Sequence, residues 1–205
     1  MKDKDYENTK KVYKELGKKY LDSIESIDVD YFREFIDSLP KGGLVLDVGC
    51  AGGRDAEKLS KEGFKVVGID FVEDFIDESR KRLPEVDFRV MDMMRMDFGD
   101  EAFDGIWASA VIVHIKKEDI PRVLNEYSRV LKGKGCLYLY VKKGKGTVLM
   151  NDKLSQVRKR LFSFFEKDEL EEFLNDGGFK IIKSKVFNDH AGRDLQWIAV
   201  IAKKK

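Results

Sequence analysis

Short apolar runs alternate with amphipathic segments from residue 43 to about residue 141, and this alternation restricts the folds available to the chain. The runs predict strands at 44–48, 65–69, 86–91, 103–110 and 136–141. Apolar residues at helical spacing predict helices between them, near 54–62, 72–83 and 120–131. Because the strands are almost continuously apolar, both faces of their sheet must be covered. The pattern therefore predicts an α/β fold in three layers, with a mostly parallel sheet between helices.

The two ends of the chain complete this arrangement. The first 40 residues predict two amphipathic helices, of which the first carries Tyr13 and Tyr20 on its apolar face. Beyond the fifth strand, the pattern predicts a loop, a helix around 170–174 and two adjacent strands at 179–187 and 195–202. A length of 205 residues fits one domain. We therefore expect a single domain over 1–205, with a helical cap over 1–40, a core over 44–141 and a candidate substrate lid over 142–165.

Charge and cysteine content exclude several classes of protein. With 39 Lys and Arg against 38 Asp and Glu, the net charge of +1 gives no overall field that would hold nucleic acid or an anionic membrane. Cys50 and Cys136 are far apart and form no C-x-x-C pair, so we expect neither a metal site nor a disulfide framework. No secretory signal is visible, and no apolar stretch reaches the ~20 residues of a membrane span. These features favour a cytoplasmic protein.

Residues that directly follow the predicted strands are the candidates for a ligand site, because open parallel sheets bind ligands beyond the C-terminal ends of their strands. The first strand leads into D-V-G-C-A-G-G-R at 47–54, where small residues permit positive φ and close approach of a ligand. Asp70 ends the second strand, where a carboxylate can accept bonds from both hydroxyls of a ribose. The loop is also compatible with a simple βα turn, and Asp70 with a helix N-cap.

The third strand helps to distinguish between nucleotide ligands. It ends in V-M-D-M-M at 90–94, where Asp92 can accept a bond from an adenine amino group and methionine side chains can pack on the ring. A solvated turn or an N-cap is the alternative for Asp92. The dinucleotide fingerprint G-x-G-x-x-G fails, because Ala51 and Arg54 occupy two of its glycine positions, and no G-x-x-x-x-G-K-[ST] loop is present. The pattern therefore argues against a dehydrogenase.

Five motifs resemble, in order and spacing, those of the class I S-adenosylmethionine-dependent methyltransferases. They are V-L-D-V-G-C-A-G-G-R, V-V-G-I-D, V-M-D-M-M, F-D-G-I-W-A-S-A-V-I-V-H-I and R-V-L-K-G-K-G-C-L-Y-L-Y-V, and they extend from about residue 44 to residue 141. The resemblance implies a Rossmann-like sandwich whose seven-stranded sheet has one antiparallel strand near its C-terminal end. It also implies S-adenosylmethionine as the cofactor. The chain departs from the family at Ala51, where glycine is usual.

The resemblance further implies the residues of a cofactor site, all of which follow the first four strands. They are Asp47, Gly49, Ala51, Gly53, Asp70, Phe71, Asp92, Met93 and Ser109. The first four would surround the methionine half of the cofactor, and Asp70 would bind the ribose. Phe71 would lie beside the adenine, whose edge the acid and methionine after the third strand would hold. Ser109 would face the cofactor near its sulfonium.

Methyl transfer from a sulfonium needs no obligatory catalytic base, because the leaving group departs neutral and positioning supplies much of the rate. His114 is the first candidate for a base if the acceptor is protonated, and a local hydrogen bond that shapes the pocket is its alternative. His190, in the loop between the last two strands, is the second candidate. We interpret Cys50 as a packing residue rather than a nucleophile. Tyr13 and Tyr20 are expected to pack and to line the pocket without a role in proton transfer.

Residues 142–160 are the most basic stretch of the chain, with seven basic residues, one acid and a net charge of +6. We interpret this stretch as part of a lid in which Arg160 clamps a carboxylate or phosphate of the acceptor. Arg193 and Trp197 would add to the same wall, and a solvated loop is the alternative. Three functions stay open: a methyltransferase for a small-molecule acceptor, a tRNA or other RNA methyltransferase, and a non-catalytic S-adenosylmethionine-binding protein.

Overall fold

The computed structural model describes residues 4–151, 159–190 and 192–205. Its strands are β1 (Leu44–Val48), β2 (Lys65–Asp70), β3 (Asp87–Val90), β4 (Phe103–Ser109), β5 (Leu131–Lys142), β6 (Thr147–Met150), β7 (Arg160–Ser163), β8 (Phe179–Asn188) and β9 (Gln196–Lys204). Among the described residues, seven strands form one sheet in the order β3-β2-β1-β4-β5-β9-β8. β1 to β5 pair in parallel, whereas β9 runs antiparallel to both β5 and β8. The predicted mostly parallel sheet with one antiparallel strand near its end is confirmed.

Helices cover both faces of this sheet. They are α1 (Lys4–Leu16), α2 (Lys18–Ile24), α3 (Phe32–Asp37), α4 (Arg54–Lys61), α5 (Glu73–Arg82), α6 (Ile120–Val130) and α7 (Lys167–Asp176). Successive residues of a strand point to opposite faces, so Val45 belongs to the core under α3, α4 and α5, while Leu46 belongs to the core under α6 and α7. The predicted three-layer arrangement follows from this alternation. Among the described residues, no helix has the length and apolar character needed to cross a bilayer.

The first predicted helix is interrupted in the structure. Gly17 adopts a φ of +49°, so the chain turns there and α1 and α2 form two separate helices. Tyr13 and Tyr20 nevertheless stay together, because their rings meet edge to face with 4.7 Å between centroids. The predicted apolar face therefore survives across a break that periodicity alone does not reveal.

β6 and β7 form a separate antiparallel ribbon within the stretch that the sequence predicts as a loop. β6 is exposed, whereas all of β7 is buried. The Ser163 hydroxyl donates to the Ile115 carbonyl at 2.6 Å, and the Leu161 N–H donates to the Thr9 hydroxyl of α1 at 3.2 Å. β7 is thus part of the packed wall, and movement of the rest of 142–165 as a lid stays a prediction. Lys153 and Arg158 of the basic stretch lie outside the described residues.

Candidate functional site

The sheet order reverses between β1 and β4, and a cavity lies where the C-terminal ends of these strands separate. It has two connected parts, and the residues that line both are Tyr13, Tyr20, Gly49, Ala51, Ser109, Ala110 and His114. The β2-side cavity, of about 550 Å³, is also lined by Tyr6, Asp70, Phe71, Phe75 and Met93. The β5-side cavity, of about 1370 Å³, is also lined by Asp47, Lys142, Arg160, Phe162, Arg193 and Trp197. Side chains from both ends of the chain therefore meet at one crevice.

The glycine-rich turn after β1 forms the floor between the two parts. Gly49 and Ala51 both have positive φ, at +71° and +46°. The N–H groups of Gly49 and Cys50 donate to the Ile69 carbonyl at 2.8 and 3.0 Å, which ties the turn to the end of β2. A Cβ on Gly49 would lie 2.6 Å from a methyl carbon of Val111, so glycine is required there by packing as well as by φ. The turn is rigid, and Ala51 holds a conformation that glycine adopts at lower cost.

Gly53 does not line either cavity. It has a φ of +81° at the start of α4, and a Cβ there would meet Ser79 and Phe88 at 3.2 Å. Its place in the structure is therefore explained by the turn into α4 and by close packing against α5 and β3.

Asp70 is buried at the end of β2, where it contacts the turn after β1, the start of α5 and the β2-side cavity. One carboxylate oxygen accepts the N–H of Ala51 at 3.1 Å, and the other accepts the N–H of Val72 at 2.8 Å. Burial raises the pKa of Asp70 to about 6, although the backbone N–H groups oppose that shift. Since Val72 precedes α5, the carboxylate both organises the helix start and lines the β2-side cavity.

Asp47 is buried beneath the same turn and lines the β5-side cavity. Its Oδ2 atom has no hydrogen-bond partner in the described part of the chain. Burial and the nearby Asp55 raise the pKa of Asp47 well above its usual value. Asp55, by contrast, accepts from Arg54 at 2.8 Å and from the Trp107 indole at 2.9 Å. A buried acceptor without a donor is uncommon in folded proteins, so Asp47 is a candidate to accept a hydrogen bond from a ligand.

Of the two candidate residues after β3, one lines the cavity and the other supports a residue that lines it. Met93 and Phe71 line the β2-side cavity, whereas Asp92 does not line either part. One oxygen of Asp92 accepts the Tyr6 hydroxyl at 3.1 Å and the Met94 N–H at 2.9 Å. Tyr6, which the sequence reasoning missed, lies 5.3 Å from the Phe71 ring. Its signal was the spacing of seven residues between Tyr6, Tyr13 and Tyr20.

His114 is buried and holds Tyr13 in place. Its Nδ1 atom lies 2.7 Å from the Leu161 carbonyl, which can only accept, so Nδ1 carries the proton. Nε2 then accepts the hydroxyl of Tyr13 at 2.7 Å. Burial, together with the positive charges of Arg160 and Lys142, lowers the pKa of His114 to about 3. His114 is therefore neutral at physiological pH. Its unprotonated ring nitrogen, Nε2, already accepts the hydrogen bond from Tyr13.

The structure also gives the positions of three other residues that the sequence analysis considered. Ser109 ends β4 and lines both parts of the cavity. Cys50 is buried, and burial raises the pKa of its thiol well above the usual value, which favours the packing interpretation. His190 lines the β5-side cavity, with Nε2 at 3.0 Å from an Asp30 carboxylate oxygen.

The β5-side cavity has a basic wall. Arg160, with 2% of its surface exposed, places its guanidinium 4.6 Å from the centre of the Tyr13 ring and 5.2 Å from that of Phe162. Arg193 forms an ion pair with Asp189, with atoms 2.5 and 2.9 Å apart. Asp189 therefore offsets the charge of Arg193, and the predicted role of Arg193 in binding an anionic acceptor stays a prediction.

Comparison with known proteins identifies a domain and a fold. Residues 45–135 match a family model described as a methyltransferase domain. A solved S-adenosylmethionine-dependent methyltransferase from Methanosarcina mazei shares the fold, with a TM-score of 0.77 and 22% identity over 86% of this chain and 99% of that one. Residues 45–135 therefore form a methyltransferase domain, and the described chain has the Rossmann-like fold of the S-adenosylmethionine-dependent methyltransferases.

The proteins that this chain resembles differ in their named acceptors. The 1,6-didemethyltoxoflavin-N1-methyltransferase of Burkholderia thailandensis, solved with 1,6-didemethyltoxoflavin and S-adenosylhomocysteine, has a TM-score of 0.69 and 21% identity over 92% of this chain and 90% of that one. A probable tRNA methyltransferase 9B of Mus musculus is 31% identical over 62% of this chain and 30% of that protein. This chain therefore spans less than a third of the length of this curated relative.

Proposed function

We propose that this chain transfers a methyl group from S-adenosylmethionine to a small acceptor that carries an anionic group. The observation that supports this most is the joined cavity at the switch point of the sheet, which is lined by buried acids near β1 and β2 and by cations at β5 and β7. The cofactor supplies an electrophilic methyl group on a sulfonium. The chain supplies binding, orientation and exclusion of water.

The residues of the β2-side cavity fit the cofactor. In this proposal Asp70 accepts from the ribose hydroxyls, and Phe71 and Met93 pack against the adenine. Asp92 lines neither part of the cavity, so its predicted bond to the adenine amino group stays a prediction, and its side-chain contact in the structure is with Tyr6, which does line the β2-side cavity. Two buried acids whose pKa values are raised by burial suit a ligand that brings hydrogen-bond donors and positive charge.

The methionine half fits the turn between the cavities. The unpartnered oxygen of Asp47 supports its assignment to the cofactor ammonium, since that group brings donors to a buried acceptor. The open backbone of Gly49 and Ala51 leaves room for the same half, and Ser109 borders the place where the two parts of the cavity meet. The role of Gly53 in this proposal is confined to shaping the turn.

Catalysis in this proposal rests mainly on positioning. Tyr13 and Tyr20 line both parts of the cavity and are held by aromatic contacts to Phe75, so the reacting groups are enclosed on the side of the N-terminal helices. Holding two reactants in a productive orientation can contribute roughly 7–11 kcal/mol. A base adds to this only for an acceptor that arrives protonated.

A base role for His114 stays a prediction, and the geometry places a condition on it. A proton from the acceptor reaches Nε2 only if the Tyr13 hydroxyl turns away or passes on its own proton. The low pKa of His114 makes the imidazole a weak base. We therefore propose that His114 acts chiefly by orienting Tyr13.

RNA is the second candidate acceptor, and it is favoured by one observation: the similarity to a probable tRNA methyltransferase 9B. The small acceptor is preferred because Arg160 is buried in the cavity wall rather than displayed on the surface. Contacts to an RNA backbone depend on accessible basic side chains and weaken steeply with added salt.

The test is to incubate the protein with methyl-labelled cofactor and fractionated cell extract, with and without ribonuclease. The small-acceptor proposal predicts label in low-molecular-mass, anion-exchange-binding compounds that ribonuclease does not affect. Label that disappears from the macromolecular fraction after ribonuclease would favour RNA instead. Cofactor binding without label in any fraction would favour a non-catalytic binding protein.

A further inference from the structure

Lys142 occupies the border between the cofactor residues and the basic wall. It is the last residue of β5 and pairs with Trp197 of β9 at the C-terminal edge of the sheet. It lines the β5-side cavity, which Asp47 and Ser109 also line. An anion held by Lys142 would therefore lie in the same chamber as the residues proposed to bind the methionine half.

The ammonium of Lys142 faces aromatic rings. Its Nζ atom lies 3.8 Å from the centre of the Phe162 ring and 5.9 Å from that of Trp197. Among the described residues, no carboxylate lies within ion-pair distance of this ammonium. Lys143, the next residue, instead donates to the side chain of Gln196 at 2.8 Å. The alternation of the strand thus separates a cavity lysine from a surface lysine.

The charged groups around Lys142 leave positive charge in excess. Arg160 and Arg193 act on it as cations, Asp189 acts as an anion, and the nearby His114 is neutral. Burial and the two arginines lower the pKa of Lys142 to about 8. Asp189 is already bonded to Arg193 and to the Trp197 indole. A bound anion would therefore add the negative charge that the ammonium of Lys142 lacks at ion-pair distance.

The geometry points to Lys142 as the residue that binds the oxyanion, carboxylate or phosphate, of the methyl acceptor, with Phe162 and Trp197 packing against the body of the same molecule. This inference rests on the proposed function, and it names the group that the acceptor must carry. A flat, apolar acceptor with one oxyanion matches a cation set between two aromatic side chains.

Binding of simple probes tests the inference without knowledge of the acceptor. The protein is saturated with S-adenosylhomocysteine, and calorimetry then measures its affinity for benzoate, phenyl phosphate and the neutral benzamide. We expect at least one anion to bind at least tenfold more tightly than benzamide. Tighter binding of benzoate would identify a carboxylate site, and tighter binding of phenyl phosphate a phosphate site.

Matched variants assign the effect to this side chain. Lys142→Met should weaken anion binding at least tenfold, Lys142→Arg should retain it, and the surface control Lys143→Met should leave it unchanged. Anion binding to the wild type should weaken at least tenfold between about pH 7 and about pH 9.5, because the ammonium loses its proton in that range. Lys142→Arg should bind equally across it.

Separate outcomes overturn the inference and the proposed function. If Lys142→Met binds the preferred anion as tightly as the wild type, or if neither anion binds at millimolar concentration, Lys142 is not the oxyanion site. S-adenosylhomocysteine binding and the melting temperature are measured for every variant, so that loss of folding is recognised. Failure of the wild type to bind S-adenosylhomocysteine would overturn the proposed function instead.

Discussion

Two regions of the joined cavity differ in their charged groups: the end of β2 with the adjoining turn, and the wall formed by β5 and β7. The β2-side cavity and the turn beside it use buried carboxylates and a backbone with positive φ, and burial raises the pKa of both Asp47 and Asp70. The β5-side wall uses cations packed on aromatic rings, and burial lowers the pKa of Lys142. Each part therefore holds charge that burial disfavours. In the proposed function, a cofactor that brings positive charge binds beside the carboxylates, and an anionic acceptor binds beside the cations.

Removal of the Asp70 carboxylate should give the largest effect, a loss of affinity for S-adenosylhomocysteine. Asp70→Ala is expected to weaken S-adenosylhomocysteine binding by about 1.5–3 kcal/mol, because charge-assisted hydrogen bonds to the ligand are lost. Calorimetry measures the change, and circular dichroism confirms that the variant is folded. Asp87→Ala is the matched control, because Asp87 is an exposed acid of β3 that pairs with Arg89. Equal affinity in both variants would remove Asp70 from the cofactor site.

Loss of Arg160 and loss of Arg193 should raise the KM for the acceptor by different amounts. Once the acceptor is known, Arg160→Met should raise its KM about tenfold, because a buried cation is lost from the wall. Arg193→Met should raise the KM less than about threefold, because Asp189 already offsets that charge. Steady-state kinetics at saturating cofactor measure both values. A larger effect for Arg193 would mean that the Asp189 ion pair opens when the acceptor binds.

The affinity for S-adenosylhomocysteine should also decrease as the pH falls. The pKa of Asp70 is raised to about 6, so the carboxylate gains a proton as pH drops through that value and accepts ligand bonds less well. Affinity for S-adenosylhomocysteine should fall up to about tenfold between about pH 7.5 and about pH 5. Asp70→Asn should show a weaker dependence, with the remainder due to Asp47. A wild-type affinity that is constant over this range would contradict the ionised-carboxylate contact.

The smallest effect concerns strain in the turn shared by the two parts. Ala51 has a φ of +46°, so Ala51→Gly should stabilise the fold by about 0.5–1 kcal/mol, after the entropic cost of glycine is subtracted. Chemical denaturation measures the gain. Ala56→Gly, within α4, is the matched control and should destabilise by about 1 kcal/mol. If both substitutions destabilise the protein, the turn at Ala51 is not strained.

The sheet and the acidic part of the site were largely predictable from the sequence. Each strand in the core is a short apolar run, and Asp47, Gly49, Ala51 and Asp70 lie at or just beyond the end of a strand. Since parallel strands deliver their C-terminal ends to one edge, their order along the chain was enough to bring these residues together. The structure places all four around the cavity.

Other features depended on contacts between distant segments. Gly17 divides the first helix because of its backbone conformation, and β7 becomes a buried strand because it packs against α1 and the turn before α6. From the sequence, Lys142 was recognised only as one of the basic residues in 142–160. Its placement opposite Phe162 and Trp197 required β5, β7 and β9 to be assembled.

The sequence by itself determined the layered sheet and the edge at which the candidate site residues meet, because both follow from apolar periodicity and from residues adjacent to strand ends. Only the tertiary structure decided which polar groups are partnered. It joined Tyr13 to His114 and Arg193 to Asp189, and it left Lys142 facing aromatic rings. The physical reason is that the charge state and the strength of a polar group depend on its burial and its neighbours, and here those neighbours come from segments far apart in the chain.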